Sequence, residues 1–399
     1  MTQPKQRLIS IFCILLILAL MPSSTVRATQ DNPQVPLACE EGVQSSGALY
    51  QICVPDANWN GSLIIWSHGY VAPALPLAIQ NTFGSISLPD TLGLLGYAFA
   101  TTSFSKNGLA IRQGVDDLVD LVAIFDEKNG TPALTYLMGV SLGAATSTLA
   151  LEKYPDKFSG GLSMCGPYGN FQEQLDYFTN TRVLFDHFFP DVLPSSPIDI
   201  PESLIADWTN VSNTTVVPVL ASPGNITQTN QLLATSQVAF DTQVPTTTVE
   251  ALVSVLSFNV LGSNDGVVTL GGQPFDNRDS TYVGSLNDEE LNQFITRFAA
   301  SQIALDEVAQ HYETGGRIDV PLVTMHTTGD PIVPYWHATQ YQTKIDGASR
   351  GSLYMHQSFE RYGHCRFTQE EIVGALTVLN QLVASNITVN DVFIPLMLQ

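Results

Sequence analysis

Apolar and polar positions along the chain fall into blocks of two kinds. Residues 48–54 alternate and read as a half-buried strand, while 62–67 (SLIIWS) is a continuous apolar strand of the kind buried on both faces. Residues 97–102, 134–140 and 160–165 read as further strands. Between them, 114–125 places Val115, Leu118, Val119, Leu121, Val122 and Phe125 at a helical period, and Asn129-Gly130 stops it. Residues 143–151 are Ala-rich and read as a helix ended before Pro155. The alternation resumes late in the chain, with strands at 320–327 and 352–357 and helices near 334–345 and 369–384. Strand followed by helix, repeatedly, predicts an α/β fold: a mostly parallel sheet with helices on both faces.

The pattern breaks between residues 172 and 316, which are rich in Asn, Thr, Pro and Ser with helical stretches at 248–260 and 286–304. A break that long inside a compact sheet domain predicts a cap or lid insertion. The expected organisation is therefore a catalytic domain built from 29–171 and 317–399, split by the insertion at 172–316. Residues 1–28 form a separate element: Lys5 and Arg7, an apolar run from Leu8 to Met21, then small residues around Val26-Arg27-Ala28. That is the order of a secretory signal peptide, and the run is short of the ~20 residues a membrane span needs. Cleavage after Ala28 predicts a secreted or periplasmic protein without a stable membrane anchor.

Charge changes this picture little. The 16 Lys and Arg against 37 Asp and Glu give −21, deepening to −24 once Lys5, Arg7 and Arg27 leave with the leader. Without a basic patch, nucleic acid is not an expected partner. The balance otherwise concerns solubility rather than fold. No paired CxxC, HxxxH or HExxH spacing is present, so neither metal nor cofactor is expected. Five N-glycosylation sequons, at Asn60, Asn210, Asn213, Asn225 and Asn386, are compatible with export. Loss of Cys13 leaves Cys39, Cys53, Cys165 and Cys365, which allow three connectivities. Cys39 and Cys53 are close in sequence around a first hairpin and are expected to pair, which leaves Cys165 with Cys365.

Candidate chemistry begins at Gly139-Val140-Ser141-Leu142-Gly143, between a buried strand and an Ala-rich helix. As a bare pattern G-x-S-x-G is weak. In strand–turn–helix context it marks a serine on a sharp, strained turn, with glycines removing side chains that would clash and the Leu142 N–H pointing toward a developing oxyanion. Such a serine needs a base, and the base an orienting acid. Among seven histidines, His364 lies in a loop between the last strand and the last helix, with His337 the main competitor. His326, inside an apolar strand, reads as a core histidine. Asp330 follows a strand end in Thr328-Gly329-Asp330-Pro331, a sequence equally suited to a plain turn, and Asp346 is the fallback. The order Ser141, Asp330, His364 favours Asp330. After the strand at 62–67, His68-Gly69 lets the backbone approach closely, making the Tyr70 N–H the expected second oxyanion donor.

The strand-HG loop, the GVSLG elbow, the TTGDPIVP turn and the Gly363-His364-Cys365 loop together resemble the α/β-hydrolase superfamily. Within it they look like secreted serine esterases, including those grouped with prolyl oligopeptidases. The resemblance covers roughly 48–170 and 317–385. It implies Ser141 as nucleophile, His364 as general base and acid, Asp330 as orienter, and Tyr70 and Leu142 as oxyanion donors. Related esterases tie the histidine loop to the sheet through a cysteine beside the histidine. Here that implies a Cys165–Cys365 bridge, since position 140 is Val.

The expected activity is hydrolysis of a small or polymeric carboxylic ester through an acyl-enzyme. A serine peptidase or amidase of the prolyl-oligopeptidase type would use the same residues, and Glu40-Glu41 or Glu289-Glu290 would serve it as a peptide-amine anchor. A non-catalytic binding protein on the same fold is the reading from another class. Tyr177-Phe178 and residues 185–189 are aromatic enough to line a substrate pocket, although most of them equally fit the insertion's own core.

Overall fold

The computed structural model describes residues 37–194 and 196–397, with side chains through residue 386. The predicted leader, with Cys13, lies outside them. Among the described residues eight strands form one sheet: β1 (Leu37–Val43), β2 (Leu49–Pro55), β3 (Ser62–Ser67), β4 (Ala98–Thr102), β5 (Leu134–Val140), β6 (Gly160–Met164), β7 (Leu322–Gly329) and β8 (Tyr354–Tyr362). The main helices are α1 (Leu88–Leu94), α2 (Ile111–Asn129), α3 (Leu142–Lys153), α4 (Phe171–Phe188), α5 (Ile226–Ser236), α6 (Thr247–Leu270), α7 (Asp288–Phe294), α8 (Gln302–His311), α9 (Trp336–Gly347) and α10 (Gln369–Met397). In space the strands run β1-β2-β4-β3-β5-β6-β7-β8. β2 is antiparallel to both neighbours and every later pairing is parallel. This is the α/β-hydrolase fold.

The continuous apolar strands are explained by cover on both faces. Leu63 and Ile65 of β3 belong to one apolar cluster, shared with α2, α3 and α9, while Ile64 and Trp66 belong to another, shared with α1 and α10. Each strand residue is therefore buried whichever way it points, and the period-2 signal vanishes from the sequence. Only β1, at the sheet edge, carries a mostly exposed face. Cys39 and Cys53 sit directly opposite one another in β1 and β2 and are bonded.

Between β6 and β7 the chain is more helical than its composition suggested. α4 to α7, with short helical turns between 202 and 221, surround a second apolar core that includes Phe185, Trp208, Leu232, Val255 and Leu256, while Ala304 and Val308 of α8 join the sheet-side core. The same cluster reaches Ile332 and Val333, in the turn after β7. The start of α4 is fixed locally: the Glu173 N–H donates to Asn170 Oδ1, and Asn170 Nδ2 donates back to Glu173 Oε1.

Two helix expectations need correction. The stretch at 248–260 extends to Leu270, because Gly262 and Gly266 sit inside a packed helix, and it stops at Gly271 with φ +71°. The single helix expected over 286–304 is instead α7 and α8 with non-helical chain between them. There Arg297 Nη1 donates to the carbonyls of Asn277 and Ser280, and the N–H groups of Phe298 and Ser301 donate to Asn277 Oδ1 and the Gln273 carbonyl. Those tertiary bonds replace the intrahelical ladder. α6 is long and apolar enough to cross a bilayer, yet its inner residues belong to the second core.

One carboxyl ties this layer together at an electrostatic cost. Asp176 Oδ1 accepts from Gln172 Nε2 at 3.1 Å and from the Asp276 N–H at 3.3 Å. Burial pushes its pKa up to about 7, with the Asp276 and Glu173 carboxylates adding to the rise. Stability linked to such a raised acid is fully present below the unfolded value near 4 and is lost as pH rises through about 7. Asp176→Asn is therefore expected to unfold at higher urea than the parent at about pH 8, by on the order of a few kcal/mol, and to match it near pH 4. Equal stability of the two proteins at both pH values would contradict this.

Candidate active site

The turn from β5 into α3 places Ser141 at φ +53°, ψ −123°, a left-handed conformation costing a non-glycine residue about 1–3 kcal/mol. The neighbouring glycines are steric necessities. A methyl on Gly143 would land on the carbonyl oxygens of Ser67 and His68, and one on Gly139 would meet Ser147 Oγ and the Gly143 carbonyl. The turn is held by Ser141 N–H to the Met164 carbonyl at 2.9 Å and by Ser67 Oγ–H to the Gly143 carbonyl at 2.9 Å. The two strands flanking β5, β3 and β6, therefore hold the turn that carries the serine.

His364 Nε2 lies 2.9 Å from Ser141 Oγ, and His364 Nδ1 lies 2.7 Å from Asp330 Oδ2. These three residues come from positions 223 and 34 apart in the chain. Asp330 is buried, and its second oxygen accepts the Ile332 and Val333 N–H groups at 2.9 and 3.0 Å. Burial alone would raise its pKa. The His364 charge and hydrogen bond outweigh that, aided by His326 and the Val333 amide, and hold the carboxyl below the ordinary aspartate range. A carboxylate so placed fixes the imidazole with Nδ1–H toward the acid and a free Nε2 lone pair toward the serine.

The remaining expected residues fall as follows. Cys165, just after β6, is bonded to Cys365, whose Sγ packs 3.4 Å from His364 Nε2. Cys165, Cys365 and His364 cluster closely enough for a metal, but both sulfurs are used by the bridge. Tyr70, Ser141 and Leu142 line one cavity. Leu142 opens α3, where helix geometry leaves backbone N–H groups unused. Gly69 runs close alongside: a Cβ built there would be 3.4 Å from Ser141 Cβ. His337 is occupied elsewhere, with Nε2–H to Gln174 Oε1 at 2.8 Å and Nδ1 accepting the Gly169 N–H at 3.1 Å. Asp346 is an exposed residue of α9 whose Oδ1 accepts from Gln342.

Sequence reasoning missed the supporting role of His326. It is fully buried, donates from Nε2 to the Val333 carbonyl at 2.9 Å, and lies 3.7 Å from Asp330 Oδ2. Burial lowers its pKa against the opposing pull of the Asp330 carboxylate and the Val333 carbonyl. The β-strand burial that made it look like a core histidine is real, but its ring also braces the segment whose amides hold Asp330.

The cavity beside Ser141 encloses about 900 Å³ including its open mouth. Its walls come from both parts of the chain: Tyr70, Leu142 and Ile332 on one side, and Phe178, Phe258 and Phe275 from the helical segment on the other. Phe178 stacks on Phe258 at 5.0 Å with ring planes 10° apart. Of the other aromatics singled out from sequence, Phe185 and Phe189 are buried in the helical core, and Tyr177 donates its hydroxyl to the Pro331 carbonyl. Glu40, Glu41, Glu289 and Glu290 do not line the cavity.

No family model matches the chain. It is similar to an o-phthalyl amidase of Xanthobacter agilis, with 23% identity over an alignment of 423 positions covering 89% of each protein. Among solved structures it is similar to feruloyl esterase B of Aspergillus oryzae (14% identity, TM-score 0.44, 82% of this chain and 73% of the other). It is also similar to the esterase Pf2001 of Pyrococcus furiosus (11%, 0.46, 88% and 91%) and an acylaminoacyl peptidase of Pyrococcus horikoshii (10%, 0.43, 86% and 40%).

Two outcomes follow from the site's construction. The Cys165–Cys365 bridge spans 200 residues and Cys39–Cys53 spans 14, so in the chain-entropy model their serine double variants lose about 5 and about 3 kcal/mol respectively. Urea unfolding that ranked them the other way would contradict the model. The depressed Asp330 supplies stability that is present above the unfolded value near 4 and is lost as pH falls through its lower folded value. The deficit of Asp330→Asn relative to the parent is thus expected at neutral pH and should shrink in acid. A deficit independent of pH would rule this out.

Proposed function

We propose that the protein is a serine hydrolase of carboxylic esters, acting through an acyl-enzyme on Ser141. The observation that carries this reading is the hydrogen-bonded line from Ser141 Oγ through His364 to a buried Asp330, starting from a strained serine at a cavity wall. In the first step His364 Nε2 takes the hydroxyl proton as Oγ attacks the substrate carbonyl. The negative charge that develops on the carbonyl oxygen is received by the N–H groups of Leu142 and Tyr70. Collapse breaks the bond to the leaving group, which departs with the proton from His364 and leaves the acyl group on Oγ. Water then attacks the acyl carbonyl, again giving its proton to His364. Release of the carboxylic acid restores the serine hydroxyl. Asp330 remains ionised throughout, holding Nδ1–H and stabilising the imidazolium.

The helical segment 172–316 serves in this reading as the cap that shapes the substrate cavity, since Phe178, Phe258 and Phe275 face it. Amide hydrolysis is the second reading, favoured by the similarity to an amidase over 89% of the chain. The glutamate pairs that an aminopeptidase-type anchor would need lie away from the cavity. Two disulfides fit folding in an oxidising compartment and support export after removal of a leader near Ala28.

The deciding experiment is a panel of p-nitrophenyl esters of increasing acyl size beside p-nitroanilides, run on the parent and Ser141→Ala. Esters are expected to turn over. Ser141→Ala and His364→Ala should each lose about 10⁴–10⁶ in kcat, with the double variant little worse than either. Undiminished turnover by Ser141→Ala would overturn the assignment. Turnover of anilides in preference to esters would select the amidase reading.

A further inference from the structure

The wall of the cavity beside Ser141 includes a residue with a polar atom that the fold does not use. Asn259 lies on α6, lines the cavity and is 1% exposed. Its Nδ2 donates to the Pro197 carbonyl at 2.9 Å and to Ser263 Oγ at 3.0 Å. A carbonyl can only accept, so the amide orientation is fixed and the remaining atom is the acceptor Oδ1. Asn259 Oδ1 is buried without a partner, the one such side-chain atom among the described residues that line this cavity. Buried acceptors are nearly always satisfied, and an exception in a cavity wall points to a donor supplied from outside the fold.

The surroundings narrow the class of donor. The stacked Phe178 and Phe258 rings, with Tyr70 5.6 Å from Phe258, form an aromatic wall. Gly266 leaves the helix side open, since a Cβ there would meet nothing within 4 Å, and one at Gly262 would meet only the Tyr70 hydroxyl at 3.6 Å. Among the described residues that line the cavity there is no cation. Its single carboxylate, Asp265, is engaged by Lys106 Nζ at 3.1 Å and the Leu109 N–H at 2.6 Å. The side-chain amides of Gln174 and Gln273 are likewise spent on the Ile332 and Phe275 carbonyls.

We infer that the substrate carries a neutral aromatic ring with a hydrogen-bond donor, a phenolic hydroxyl, and that Asn259 Oδ1 receives it as the specificity-determining acceptor. The inference rests on the ester-hydrolase reading for the position of the reacting carbonyl, but its binding component does not. A ring bearing a carboxylate would set an anion against an acceptor and Asp265 with no compensating cation. Such substrates are expected to be poor ones, which would set this cavity apart from one built for a phthalate.

The test uses methyl esters of meta- and para-hydroxybenzoate and of the matching hydroxyphenylpropanoates, each beside its O-methyl ether, together with monomethyl phthalate. The parent enzyme is expected to favour the free phenol in at least one pair by about tenfold or more in kcat/KM. Asn259→Leu should erase that preference while its thermal melt shows a folded protein. Calorimetric binding of the same pairs to Ser141→Ala should show the same order in Kd, independently of turnover. A binding preference without any turnover would sink the hydrolase reading and leave this inference standing. Equal or reversed preference in the parent, whether or not Asn259→Leu folds, or better turnover of monomethyl phthalate than of the methyl hydroxybenzoates, would overturn the inference with the hydrolase reading intact.

Discussion

The structure depends on one backbone constraint, the left-handed turn at Ser141. The strain there is not relieved by the turn itself, because a serine side chain at φ +53° has no favourable local alternative. It is held from outside, by the Met164 carbonyl on one side and by β3 pressed against Gly143 on the other. The sheet order follows as a requirement: β5 must lie between β3 and β6 for both supports to reach the same turn. Gly139 and Gly143 are therefore less a motif than the only residues that let strand, turn and helix approach so closely.

From that turn the rest of the site is assembled by segments with no local reason to meet. The turn after β7 buries Asp330 against two backbone amides, so one carboxylate oxygen is held by the turn itself and the other is left for the histidine. The loop after β8 then needs an anchor, since Gly363 and Cys365 both have positive φ and the segment has little apolar surface of its own. The bond to Cys165 gives it one, directly after the strand that also bonds Ser141. Ser141, His364 and Asp330 are thus each tied to the sheet by a separate device, of backbone, covalent and hydrogen-bonded kind.

The helical segment follows different rules. Most of its residues build their own core, and it meets the sheet layer through Leu270, Ala304 and Val308, through Ile332 and Val333, and at the cavity wall. The cavity lies between the two cores, with α6 forming much of its outer wall. The open space at Gly266 and the unpaired Oδ1 of Asn259 are the departures from close packing and hydrogen bonding in that wall on which the ligand inference rests.

The strands, the helices beside them and the G-x-S-x-G turn were legible in the sequence because their causes are local. Burial on both faces leaves continuous apolar runs, helical period leaves spaced ones, and a strained turn leaves glycines. The helix break at 295–301 was not legible, since it is caused by Arg297 and Asn277 meeting across the chain. Nor was the bracing of Asp330 by His326, because a histidine in an apolar strand reads the same whether or not an acid lies 3.7 Å away. Sequence alone determined which residue types were available and in what order. The tertiary structure decided which of them touch: a hydrogen bond between residues 223 positions apart leaves no periodicity behind, and only the packing of the sheet brings its two ends to 2.9 Å.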